Sequence, residues 1–431
     1  MSSLHAQSAP PSGRSKHASK CVSAVWFAAI ALLVLAACDT PGVTLIEPDV
    51  NAGPDSLTFS LHLEDSILAD KLGWSAGVPD AVVMLHRIGE EFHPDSFRTD
   101  LTGSVTITGV IPGYYRIAAH RVLSGAESAT AGTEVGAFGT GLKGQLSGSG
   151  SIELKLQSNQ RGALVFSEIY PIEQMLTPNY QWFQYFELYN NSDTTLYLDG
   201  MIWGKAWHIN MDFTTVPCNQ TEAFRRDPLG IWAIFFHMFP GGGQEYPVEP
   251  GTAITVALDA VDHSVAHPAF PDLTRADFEL EGGGDADNPD VPNMPQVGPR
   301  AWFRPHGLEV LLPDVIFLSQ RVDPATLTRR HDAFTGEEWV LFPAELLLDV
   351  VSLHDGDAYA DAKYTPCDAM VHPRFDRLEG GFVNTYFDTT TSIHRRMLHD
   401  PTSVVSIILH DVNASFIDLV SGPRTPGSVG R

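Results

Sequence analysis

The sequence predicts an all-β protein, a smaller β-sandwich followed by a larger one with long loops. Two observations predict it. Apolar runs are short, many alternate with polar residues, and Gly, Pro, Asn or Asp bound them, as strands and turns require. Gly 37 and Pro 30 together make 67 of 431 residues, which favours many turns over long helices. A third observation sets the scale. The chain is 43% hydrophobic, with 23 Phe, 8 Trp and 11 Tyr. That supplies two or three cores, since a single core rarely grows past about 250–300 residues.

In chain order, Arg14, Lys16 and Lys20 come first, followed by CVSAVWFAAIALLVLAAC. The apolar stretch of about 17 residues is longer than most secretory h-regions and shorter than the ~20 of a membrane span. It ends Leu35-Ala36-Ala37-Cys38, which resembles the bacterial lipobox. The resemblance implies that residues 1–37 are a lipoprotein signal peptide and that Cys38 carries lipid on its sulfur and new N-terminus. Several acyl chains anchor stably where one binds marginally. An uncleaved transmembrane anchor is the alternative. Residues 38–55 then read as a flexible tether. Cys218 and Cys367 remain as a pair, for which a disulfide and two free thiols are both open in an oxidising envelope.

Residues 56–157 form the first domain. SLTFSLHLED alternates as a half-buried strand should, and DAVVMLHRI is a second strand. In TDLTGSVTITGVIPGYYRIAAHRV, Gly103 leads a strand at Val105–Ile107, Gly109 and Pro112-Gly113 make turns, and Tyr115, Ile117 and Ala119 alternate along the next strand. This pattern resembles the carboxypeptidase-regulatory-like β-sandwich. The likeness implies a small immunoglobulin-like spacer or adhesion module without catalytic residues. GTGLKG at 139–144 fits G-x-G-x-x-G, but a dinucleotide site needs a strand before it and a helix after it. The sequence reads as a loop here.

The larger domain spans residues 162–420, with 421–431 as a flexible tail. GALVFSEIY opens it as a strand, with Val165, Ser167 and Ile169 on one face and Leu164, Phe166 and Glu168 on the other. YFELYNNSDTTLYLDG (185–200) reads as a hairpin turning at Asn190–Asp193. Ile231–Phe239 is apolar on both faces, as a central strand or a short core helix would be. Ser167-Glu168-Ile169, Phe186-Glu187-Leu188-Tyr189-Asn190 and Leu198-Asp199-Gly200 resemble the opening of a lamin-tail domain, an immunoglobulin-like sandwich. GIWAIFFHMFPGGGQEYPVEPGTAITVALDAVDH, DLTRADFELEGGGDADNPDVPNM and LHDVNASFIDL resemble an uncharacterised family of bacterial lipoproteins. That family joins a regulatory-like sandwich to a lamin-tail-like region. Its pattern near the C-terminus departs here at Asp411-Val412-Asn413-Ala414-Ser415. The resemblance implies fold and export, and no reaction.

The formal charge of −25 becomes −28 once residues 1–37, with three bases and no acid, are removed. Such a surface repels phosphate backbones, so no nucleic-acid partner is expected, and it would draw cations or basic partners. His263 and His267 are spaced i, i+4, but Ser264 stands where a metalloprotease helix needs Glu. Asp355, Asp357 and Asp361 form one spaced acid cluster, and Asp285, Asp287 and Asp290 another. Ca²⁺ wants six to eight oxygens, yet neither cluster has the EF-hand register, so solvated loops are the plainer reading. No catalytic, cofactor or metal residue is assigned. Glu187 with Asn190, Asn191 and Asp193 reads as architecture. The expectation is a lipid-anchored bacterial envelope protein, on the outer membrane or cell surface, that binds an envelope protein or glycan. A glycan or phosphoester hydrolase using carboxylates or a divalent metal in the 281–375 loops is the runner-up, and a structural spacer in an uptake or secretion assembly is the third reading.

Overall fold

Alternation in the first strand is carried straight into packing: Leu57, Phe59, Leu61 and Leu63 are buried, and the residues between them are half-exposed. The computed structural model describes residues 56–131, 136–158, 161–171, 182–206, 226–282, 287–299, 314–331, 338–355, 371–383, 389–399 and 407–427. The chain is all-β. The first lobe contains β1 (Ser56–Leu63), β2 (Val82–Arg87), β3 (Asp95–Arg98), β4 (Ser104–Thr108), β5 (Gly113–Val122), β6 (Ala137–Leu146) and β7 (Gly150–Ser158). Their order is β3-β2-β5-β6-β7-β1-β4. The β3-β2-β5-β6 layer faces the β7-β1-β4 layer across Phe59, Leu61, Val83, Ile117 and Phe138. β6 and β7 join the layers through Phe138–Ser158 and Gly139–Gln157. The opposite side of the sandwich is bounded by the edge strands β3 and β4.

The second lobe continues with β8 (Leu164–Tyr170), β9 (Tyr185–Asn190), β10 (Leu196–Tyr197), β11 (Ile202–Ala206), β12 (Gly230–Met238), β13 (Pro247–Val248), β14 (Ala253–Ala257), β15 (Phe278–Leu280), β16 (Asn293–Met294) and β17 (Asp314–Ser319). It is completed by β18 (Arg329–His331), β19 (Glu338–Pro343), β20 (Leu347–Asp355), β21 (Gly380–Val383), β22 (Thr391–Arg395), β23 (Met397–His399), β24 (Ile407–Leu409) and β25 (Leu419–Pro423). Two seven-stranded sheets, β18-β19-β12-β11-β17-β20-β21 and β16-β15-β14-β9-β8-β22-β25, share one core. Phe186 stacks on Trp203 across it, ring centres 5.1 Å apart. Ile231, Ala233 and Phe236 belong to a second cluster with Phe317 and Phe342. β12 is therefore a central strand buried on both faces, which explains its lack of alternation. No helix among the described residues is long and apolar enough to cross a membrane.

The structure departs from four sequence expectations. Residues 185–198 are not a hairpin: β9 pairs with β8 and β14, while β10 pairs with β13. The Asn190 amide diverts the chain by donating to Thr194 O at 2.8 Å and Val248 O at 2.7 Å. GTGLKG is not a loop but part of β6. Its glycines let other chain segments press on the strand, since a Cβ at Gly139 would lie 2.6 Å from Val412 and one at Gly141 2.8 Å from Leu378. In β8 a bulge between Phe166 and Glu168 breaks alternation, so Glu168 stands opposite Glu187. Finally, residues 421–427 are not a free tail. β25 runs to Pro423 against β22, and Arg424 donates to Thr389 O at 3.1 Å and Ala269 O at 3.0 Å.

A buried seam joins the lobes. Residues 376–379 and 410–418 of the second lobe cover the outer face of β2, β5 and β6. Met84, Ala118 and Ala137 pack with Leu378, Val412 and Phe416. Beside them, Glu379 receives Arg116 Nε at 3.0 Å and Lys143 Nζ at 2.5 Å, with all three side chains nearly inaccessible to water. His120 and His410 meet edge to face, 5.7 Å between ring centres.

Candidate functional site

Two places concentrate functional side chains. The first is the outer face of the β8–β9–β22 sheet. Glu168 and Glu187 are directly opposed in register, and His394 is opposite Glu168 on the other neighbour. Cross-strand neighbours have Cβ atoms about 4.5–5.5 Å apart, so the bulge creates a close carboxylate pair. Both are fully buried.

Ser392, His394 and Glu168 look like a hydrolytic triad, and their hydrogen bonds show why they do not operate as one. His394 Nε2 lies 2.8 Å from both Ser392 Oγ and Pro423 O. A carbonyl only accepts, so Nε2 carries the proton. Ser392 Oγ therefore accepts from His394 and gives its own hydrogen to Glu168 Oε1 at 2.7 Å. A nucleophilic serine needs the facing nitrogen bare. His394 Nδ1 is 3.8 Å from Glu168 Oε2, beyond hydrogen-bond reach.

Both oxygens of Glu168 and one of Glu187 are engaged by the chain itself. Glu168 accepts from Tyr185 Oη at 2.5 Å, Thr425 N at 2.9 Å and Thr425 Oγ1 at 2.8 Å as well as from Ser392. Glu187 accepts from Thr255 Oγ1 at 3.1 Å and from the Gly427 amide. Burial, and then the Glu168 charge, push the Tyr185 hydroxyl well above its usual range, so it remains a donor.

The neighbouring asparagines are structural too. Asn190 Oδ1 caps the turn through Ser192 N at 3.0 Å. Asn191 exchanges two bonds with Leu409, 2.8 Å to Oδ1 and 3.1 Å from Nδ2, replacing a strand partner. Asp193 lies 3.7 Å from Arg161 at the surface.

The remaining candidates separate. His263 is buried with Nε2 2.9 Å from Asp259 O, whereas His267 Nδ1 accepts from Ala269 N at 3.2 Å. Asp287 is exposed and accepts from Asn293 Nδ2 at 2.7 Å, and Asp290 is exposed in the same turn. Asp355 ends β20. Cys38, Cys218, Asp285, Asp357, Asp361 and Cys367 lie outside the described residues. Among the described residues no three His, Cys, Asp or Glu side chains converge as metal ligands. Near the acidic loop, Glu279 receives Ala260 N at 2.9 Å and Asn288 N at 3.0 Å. Burial pushes its carboxyl up to about 7, and Asp287 adds to the rise.

The second place is a cleft of about 350 Å³ on the first lobe. It lies where β3 and β4 face each other as sheet edges. Leu85, Phe97, Ile107 and Tyr115 contribute apolar surface, and Glu90, Glu91 and Asp95 supply acids on the same lining. Arg87 is engaged with Glu90 at 2.6 Å and with Pro112 O at 3.2 Å. Asp95 and Phe97 are two apart on β3 and so share its inner face, opposite Leu85 and Val83 of β2. Alternation in the sequence marks these strands but does not reveal which of them are edges.

No protein-family model matches the sequence, and no curated protein matches it. Among solved structures, a DUF4876 family protein from Bacteroides thetaiotaomicron is similar with a TM-score of 0.48 and 16% identity, over 85% of this chain and 95% of its own. A "putative adhesin" from Bacteroides ovatus follows at 0.19 and 9%, over 68% and 86%. A DUF3823 family protein from Bacteroides uniformis gives 0.17 and 8%, over 67% and 96%.

Proposed function

We propose that the protein is a non-catalytic binding module of the bacterial cell envelope, held by lipid on Cys38 and presenting a rigid two-lobed body to an envelope protein or glycan. The observation that carries the reading is the engagement of the Glu168–Ser392–His394 face by the chain itself. Both Glu168 oxygens and Glu187 Oε1 accept from Tyr185, Ser392, Thr425, Thr255 and Gly427, and His394 Nε2 shares its proton between Ser392 Oγ and Pro423 O. These groups build a sheet and leave substrate nothing to displace cheaply, since unpairing a buried carboxylate costs several kcal/mol. The seam supports the same role, because lobes joined by buried charge and apolar contacts move as one.

The test has two parts. Globomycin or Cys38→Ala should leave a larger, unlipidated form, and unchanged processing and membrane extraction would remove the anchor from the proposal. Purified chain starting at residue 39 should bind isolated envelopes saturably, and Glu168→Gln or Ser392→Ala variants that fold should bind equally. Turnover of glycan or phosphoester substrates that is lost in those variants would favour the hydrolase instead.

A further inference from the structure

We propose that the cleft between β3 and β4 captures an extended peptide strand from a partner protein, with basic residues alternating with apolar ones. This rests on the binding-module reading and gives it a site. β3, with four residues, and β4, with five, are the two free edges of the first sheet and bound the same cleft. An unpaired edge is a template for main-chain hydrogen bonding, and a strand entering the cleft can pair with one of the two. The volume of about 350 Å³ sits at the small end of the ~300–1,000 Å³ typical of ligand sites, so it suits a few residues of extended chain.

The lining selects the side chains. Phe97, half-buried on β3, offers apolar contact to an incoming strand. Glu90, Glu91 and Asp95 outnumber Arg87, which is already engaged, so the cleft carries net negative charge. An inward-pointing acid such as Asp95 is a common guard against indiscriminate edge pairing. A partner strand with Lys or Arg at the matching position satisfies that acid, whereas an acidic or wholly apolar strand leaves it buried and unpaired. The guard therefore acts as a filter for basic strands.

The probes are nine-residue peptides alternating Lys with Val, the Glu–Val counterpart, and a Lys–Val peptide N-methylated at alternate residues. The chain from residue 39 should bind the Lys–Val peptide and show slowed amide exchange confined to β3 and β4. Glu–Val should not bind, N-methylation should weaken binding at least tenfold, and Asp95→Lys with Glu91→Lys should do the same without unfolding these exposed positions. Equal binding of methylated and unmethylated peptide, or protection elsewhere, would overturn the proposal. So would a dimer that protects β3 and β4, or protection in the chain alone that vanishes on deleting residues 39–50. If the chain binds envelopes but no Lys–Val peptide, this inference fails and the binding-module reading stands; if it binds neither, both fail.

Discussion

Substituting Glu379 by Gln tests the seam most directly. The Glu379 side chain is almost wholly buried and contacts Arg116 at 3.0 Å and Lys143 at 2.5 Å, both nearly inaccessible to water. Removing its charge leaves two buried cations facing a neutral amide. Breaking a buried pair in this way costs about 3–5 kcal/mol, because the uncompensated charge remains dehydrated. For the body of about 380 residues, an unfolding entropy of about 2.1 cal/mol/K per residue converts ~4 kcal/mol into a fall in Tm of about 5 °C. Calorimetry measures that fall. Amide exchange at residues 376–379 and 411–418 then asks whether the seam opens before the lobes do. Arg116→Met combined with Glu379→Gln should cost less than the sum of the two single changes, since one stranded cation has gone. A Tm within 1 °C of the parent, with unchanged exchange at the seam, would refute the reasoning.

Glu187→Gln should lower stability by about 1–3 kcal/mol in urea unfolding, through its bonds to Thr255 and Gly427, and leave envelope binding unchanged. Gly380→Ala should be far worse than Gly139→Ala in expression and Tm. At Gly380 a Cβ would lie 2.1 Å from the Ser415 carbonyl, whereas at Gly139 it meets the Val412 side chain, which can turn. The pH dependence of stability in thermal scans has two opposed parts. Burial raises Asp376 to about 6 and Asp411 to about 7, so their stabilising contribution is present below the ordinary carboxylate value and lost as pH rises through about 6–7. Burial lowers His120 to about 3 and His237 to about 4, so their contribution is present above about 6.5 and lost as pH falls toward 4 and 3. The two trends offset between about pH 4 and 6, so variants separate them. Asp376→Asn with Asp411→Asn should leave stability falling as pH drops from about 6.5 to 4, and His120→Gln with His237→Gln should leave it falling as pH rises from about 4 to 7. Profiles unchanged by either pair would contradict both assignments.

How much was legible in the sequence depends on how locally each feature is encoded. Alternation in SLTFSLHL and in the strand through Tyr115 and Ile117 acts within a few residues and appears in the fold, whereas Gly113, expected in a turn, already belongs to β5. The bulge at Ser167 is a backbone irregularity without a side-chain pattern, so strict alternation puts Glu168 on the wrong face. The polar face was hidden by distance: Glu168 meets Ser392 across 224 positions and Thr425 across 257. The seam left a trace that could have been used. VVMLHR is apolar on both faces through residues 82–85, and a strand of a two-layer sandwich without a polar face must be covered on both sides. The same reasoning runs in reverse at β3, where DSFR is short, exposed and charged. A strand so unlike the buried β2 beside it has been kept at an edge, and an edge guarded by an inward acid is shaped by what must not pair with it. The specificity of the cleft then depends less on the apolar floor, which any strand could use, than on whether the arriving strand can neutralise Asp95.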